Sequence, residues 1–190
     1  MSYMDLTCRE SVSLMNGTGC FEYRSDRLRV GCNYKTYLYF ELPFAAFFGR
    51  LAQARLILYK IPVKAPDSFV CPRNDFYCAC PLLDYFSVYS NCFSPPVFDA
   101  GLCADYADEA RAAYTEIDVT EIARAWLKGK PENKGLLLDG RAGAAQIVYA
   151  SGRHEAAGMR PLLRLAYEGA SPPLNAAPCT VKVNQQRGKR

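Results

Sequence analysis

Residues 117–138 read I-D-V-T-E-I-A-R-A-W-L-K-G-K-P-E-N-K-G-L-L-L, a short helical pattern held between two strand-like runs. Asp118 and Glu121 have the D-x-x-E spacing of a capping box, in which one carboxylate accepts from an early helical N–H and the other reaches back to the cap. Val119, Ile122, Ala123, Trp126 and Leu127 fall on one face of a 3.6-residue repeat, so about two and a half turns can bury a single stripe against a sheet. Lys128 suits the negative end of a helix, Gly129 can take a left-handed conformation, and Pro131 cannot continue the helix. The pattern predicts a helix near residues 119–128 inserted in a β-sandwich.

Strand signals lie on both sides of it. Residues 28–32 and 36–42 alternate or are rich in Tyr, Val and Phe, with Gly31, Asn33 and Pro43 as punctuation. Residues 54–61 are apolar on both faces, which predicts a central strand ending before Pro62. After the helix, residues 135–138, 145–150 and 162–167 read as three short strands, and Asp139-Gly140 supplies a turn between the first two. The expectation is an all-β fold, an antiparallel, jelly-roll-like β-sandwich with one short helix.

Residues 64–113 have another character. They hold five of the nine cysteines, five of the twelve prolines and many aromatics. A strand is expected at 85–89 and an ordered, bridged loop elsewhere, because so many apolar groups are not left in a flexible one. The sandwich domain is expected to span 1–168, with this segment inside it, followed by an extended linker and basic tail at 169–190. The linker S-P-P-L-N-A-A-P precedes C-T-V-K-V-N, which alternates like a strand.

The run Asp118, Val119, Thr120, Ile122, Trp126, Gly129, Asn133 and Gly135, closed by P-L-L-R-L-A-Y at 161–167, resembles the bacterial DNRLRE-domain family, which is related to family 96 carbohydrate-binding modules. R-L-R-V-G at 27–31, Y-L-Y-F-E-L-P at 37–43 and A-x-A-R-L-I-L-Y at 52–59 are similar to the family's earlier landmarks, so the resemblance covers roughly 4–168. Residues 64–113 depart from the family, where a tryptophan-containing strand and a threonine-rich tract are expected. The resemblance implies a non-catalytic protein at an extracellular, cell or spore surface that adheres to polysaccharide or builds a surface layer.

Composition sets outer bounds. At 190 residues a single domain can bury about 70% of its unfolded surface, so disulfides are not needed for folding. Arg187, Lys189 and Arg190 supply three charges of the net +4, leaving the rest near neutral and giving no sign of a nucleic-acid-binding face. No run of about 18 apolar residues predicts a membrane span, and the N-terminus M-S-Y-M-D-L-T-C lacks the basic and apolar regions of a signal peptide.

Catalytic and metal motifs are absent from the sequence. H-E-x-x-H, G-x-S-x-G and the glycine-rich phosphate loops do not occur, and His154 is the single histidine. Asp118 and Glu121 are the nearest carboxylate pair, and helix capping already accounts for both. The expectation is therefore no catalysis, no cofactor and no metal; C-x-C at Cys78 and Cys80 has no second pair at close spacing. The cysteines at 8, 20, 32, 71, 78, 80, 92, 103 and 179 read either as a disulfide framework or as buried thiols; Cys8, Cys20, Cys32, Cys71, Cys78, Cys80, Cys92 and Cys103 are the candidates for internal bridges.

Two functional expectations follow. The first is a self-assembling structural subunit of a surface layer, in which Cys179 cross-links copies and Val181 and Val183 face a groove while the tail pairs with a neighbour's sheet edge. The second is a polysaccharide-binding module using Tyr77, Tyr85, Tyr89 and Tyr106, since tyrosine offers a flat ring with a polar tip. Trp126 is assigned to the core by its place on the helical stripe.

Overall fold

The computed structural model describes residues 1–16, 25–42, 49–62, 76–87, 94–109 and 111–169. Ser2–Thr7 (β1), Leu162–Glu168 (β11), Arg50–Tyr59 (β5) and Tyr114–Asp118 (β8) form one antiparallel sheet in the order β1-β11-β5-β8. Glu10–Met15 (β2), Tyr34–Tyr39 (β4), Leu136–Gly140 (β9), Phe76–Pro81 (β6) and Ala104–Ala107 (β7) form a second, in the order β2-β4-β9-β6-β7. Arg27–Val30 (β3) pairs with Ile147–Ala150 (β10), and a bridge between Lys60 and Tyr149 ties that pair to the end of β5. The protein is an all-β antiparallel sandwich, as its strand patterns predict.

The core lies between the two large sheets. Ala54, Leu56 and Leu58 of β5 and Leu163 and Leu165 of β11 meet Leu38, Leu136, Leu138, Tyr77 and Ala79 from the second sheet. Both faces of β9 are buried, which explains its unbroken Leu-Leu-Leu: Leu136 and Leu138 enter this core, while Leu137 joins Val12, Leu14, Tyr37, Leu82 and Phe86 on the outer side. Phe86 covers that outer cluster, with its ring 5.8 Å from Tyr37.

The helix Thr120–Leu127 (α1) buries Ile122, Ala123 and Trp126, the predicted stripe. Its start differs from a capping box. The Oδ1 of Asp118 accepts from the backbone N–H and the hydroxyl of Thr120, at 3.0 and 2.6 Å, while Glu121 turns to Arg124 at 2.6 Å instead of reaching back. The reason is that β5 holds the helix entrance: the N–H of Val119 donates to the carbonyl of Ala54, and the N–H of Ala54 donates to Thr120 Oγ1. Val119 therefore occupies the N-cap position without a side-chain cap bond. The other end closes as predicted, with Gly129 at φ 70°, its N–H on the carbonyl of Trp126, and the Lys130 N–H on that of Ala125.

Three expectations are corrected. Residues 85–87 lie outside any strand, and the expected strand at 85–89 otherwise falls on residues outside those described. Segment 64–113 is more than a bridged loop, because it supplies β6 and β7 to the second sheet. Asp139 and Gly140 are not a hairpin turn; they end β9 and pair with Cys78 and Tyr77, while β10 belongs to a different sheet. Backbone pairing with β6 outweighs the local turn preference of Asp-Gly. The strands β1 and β2 lie upstream of the first predicted strand.

Candidate functional site

An exposed aromatic patch sits where the chain leaves β6 and returns. Leu82 bridges to Phe98, the N–H of Leu83 donates to the carbonyl of Val97 at 2.8 Å, and Leu83, Tyr85, Val97 and Phe98 are exposed. Tyr85 is 59% exposed. Its hydroxyl donates to Glu132 Oε1 at 3.0 Å, and the Lys134 ammonium stands 5.4 Å from the centre of its ring. The hydrogen bond to Glu132 pushes the phenol pKa up, so Tyr85 is a neutral donor. Lys134 also donates to the carbonyl of Leu83 at 2.9 Å, joining the two sides of the patch.

The segment after α1 aims these groups outward. Asn133 Nδ2 donates to the carbonyl of Phe40 at 2.7 Å, and Asn133 Oδ1 accepts from the Gly135 N–H. With Asn133 turned inward, its neighbours Glu132 and Lys134 flank the ring. Gly135 has φ 113°, and a Cβ there would stand 2.6 Å from the carbonyl of Leu38, so the position requires glycine. Glu132 and Lys134 were missed by sequence reasoning. The available signal was a Glu-x-Lys pair around a clamped asparagine, and only the fold shows which ring it serves.

The other predicted tyrosines separate. Tyr77 is 0% exposed, and its hydroxyl donates to the carbonyl of Ala145 at 2.8 Å. Tyr106 is buried and stacked on Tyr77 with ring centres 5.4 Å apart, and burial holds its phenol in the neutral form. Both are core residues and cannot offer a ring to a polysaccharide, because β6 and β7 direct them between the sheets. Tyr89 lies outside the described residues. Trp126 is buried at 5% exposure, as the helical stripe predicts.

The cysteines also divide. Cys80 and Cys103 form a disulfide across β6 and the approach to β7, and Cys32 is disulfide-bonded as well. Cys8 and Cys78 are free and buried, which corrects their assignment as bridge candidates. Burial pushes the Cys8 thiol up to about 12 and raises that of Cys78, so both are poor nucleophiles at neutral pH. Cys20, Cys71, Cys92 and Cys179 lie outside the described residues, as do Val181 and Val183.

A concavity of about 630 Å³ opens beside the start of α1, lined by Gln53, Asp118, Thr120, Glu121 and Arg124 together with residues 101–104. Its polar groups are largely engaged with one another. Arg124 bonds Glu121 and the carbonyls of Leu51 and Ala52. Burial raises the Asp118 carboxyl, but hydrogen bonds from Thr120 and the charges of Arg55 and Arg124 outweigh it and hold the pKa below the usual carboxylate range. This is a structural junction between helix and sheet. Among the described residues, no group of three or more His, Cys, Asp or Glu is placed to hold a metal ion.

No family model matches this chain, and no curated protein matches it.

Proposed function

We propose that this protein is a non-catalytic β-sandwich subunit of an extracellular, cell-surface or spore-surface assembly, in keeping with its resemblance to the DNRLRE-domain family. The observation that carries the reading is the Cys80–Cys103 disulfide, since such bridges form and persist in oxidising surroundings. A bridged β6 and β7 make a rigid building block, and the exposed Leu83, Tyr85, Val97 and Phe98 supply apolar surface of the kind that mediates association. The test is light scattering and non-reducing electrophoresis of the intact chain, compared with a version lacking residues from Gly169 onward. The expected result is multimers for the intact chain and a folded monomer for the truncated one, with Cys179→Ser weakening assembly chiefly under oxidising conditions. Identical oligomers from both chains would refute the tail mechanism, and a monomer under all conditions would refute assembly.

A second reading, polysaccharide binding, is favoured by one observation. Tyr85 presents an exposed ring with a carboxylate at its tip and an ammonium over its face, a combination that can stack on a sugar and bond its hydroxyls.

A further inference from the structure

One lysine and one aspartate meet out of water between the two large sheets. Lys60 follows the last residue of β5 in the first sheet, and Asp108 follows the last residue of β7 in the second. Lys60 Nζ stands 2.6 Å from Asp108 Oδ1, and the two side chains are only 14% and 13% exposed. The other lysine–carboxylate pairs among the described residues are longer and wetter. Lys35 lies 2.9 Å from Asp139 with side chains 26% and 25% exposed, and Lys134 lies 3.9 Å from a Glu132 that is 67% exposed. Both members of the buried pair are held in place. The backbone N–H of Lys60 donates to the carbonyl of Ala113 at 2.9 Å, and Nζ also donates to the carbonyl of Glu109 at 2.5 Å. Thr115 Oγ1 donates to the same Asp108 Oδ1 at 3.1 Å and lies 3.0 Å from the hydroxyl of Tyr149, and both residues are buried.

An amine pressed against a carboxyl group in such a place has a neutral product open to it. Removing two charges from water costs solvation that their mutual attraction repays only in part, and joining them as an amide removes both charges. The backbone on each side has already brought the reacting groups together, which is worth an effective concentration on the order of 10⁵ M or more when the approach is well oriented. The shielding that disfavours the ions also keeps out the water that would reverse the reaction. The wetter pair of Lys35 and Asp139 lacks that shielding and remains an ordinary ion pair.

We propose that Lys60 and Asp108 are a self-modification site, at which Lys60 Nζ and Asp108 Cγ condense into an intramolecular isopeptide bond with release of one water. A proton first passes from Nζ to Oδ1 along their hydrogen bond, leaving a neutral amine and a neutral acid. The nitrogen lone pair then adds to Cγ, and the π electrons of the carbonyl move to Oδ2. A second proton passes from nitrogen to Oδ1, the Cγ–Oδ1 bond breaks with its electron pair, water departs, and Oδ2 regains its double bond. No oxidant or co-reactant is consumed. The Thr115 hydroxyl, bonded to Oδ1, assists the departure of that oxygen. The new bond fastens the second end of β7, a four-residue edge strand whose first end follows the half-cystine Cys103, and reductants do not cut it. The test is the intact mass of the purified full-length chain, measured after full reduction and denaturation. The expected mass is one water below that of the sequence, and protease digestion is expected to release a branched fragment joining Lys60 to Asp108 and none joining Lys35 to Asp139. Lys60→Arg keeps the positive charge but offers no amine for the condensation, so that variant is expected at its full sequence mass. An unaltered chain at its full sequence mass overturns the proposal, and so does a loss of water that persists in Lys60→Arg or maps to other residues. The mass and fragment map of the unaltered chain decide the question whether or not the variant folds.

Discussion

Replacing both Cys80 and Cys103 by alanine removes the bridge between β6 and the approach to β7 while leaving the bridge at Cys32 in place. The partners are separated by 23 residues, and cross-linking a loop of that length removes about 3 kcal/mol of conformational freedom from the unfolded chain. Each kcal/mol corresponds to roughly 2–4 °C for a domain of this size, so the melting temperature should fall by roughly 6–12 °C. Urea denaturation without reductant is the assay. The midpoint should drop, and the denaturant dependence should steepen, because the uncross-linked unfolded state exposes more surface. Alanine is the suitable replacement, since a serine at buried Cys80 would add an unpaired hydroxyl to the measured loss. A loss below about 1 kcal/mol with an unchanged denaturant dependence would refute the reasoning, because it would show that the bridge imposes no constraint on the unfolded chain.

Trp126→Ala should cost about 3–5 kcal/mol through the cavity left among the buried helical residues; Trp126→Phe should cost less, because the indole Nε1 has no hydrogen-bond partner among the described residues. Fluorescence from this sole tryptophan should be blue-shifted and poorly quenched in the native protein, and red-shifted emission would contradict the burial. Asp118→Ala should cost about 1 kcal/mol at neutral pH through loss of the bonds to Thr120. The folded pKa of Asp118 lies below its ordinary 3.8, so its contribution is present above that value and is lost as pH falls through the folded pKa. Variant and parent should converge in urea titrations on the acid side of that range, and a gap that persists there would exclude the carboxylate as its source. If polysaccharide binding occurs, Tyr85→Ala should abolish it with little change in melting temperature, measured by calorimetry against uronic-acid and neutral polysaccharides; retained affinity would remove the ring from the site.

Much of the architecture is legible in the sequence because it depends on local rules. The 3.6-residue stripe through Ile122, Ala123 and Trp126 marks α1, Gly129 marks its end, and the two-sided apolar run of β5 marks a strand with neighbours on both sides. The alternation and turn signals around these elements are enough for an all-β sandwich. Pairing partners are not local, and the tertiary structure decided them. It placed Asp139 and Gly140 inside a ladder with β6, drew Tyr77 and Tyr106 between the sheets, and left Tyr85 outside with Glu132 and Lys134. Four tyrosines look alike in sequence because side-chain chemistry does not say which face of which strand a residue occupies. A shift of one residue in register exchanges core for surface, and that choice is made by the whole sheet. The same holds for the cysteines: spacing names candidates, while approach across paired strands joins Cys80 to Cys103 and leaves Cys78, two residues away, as a buried thiol.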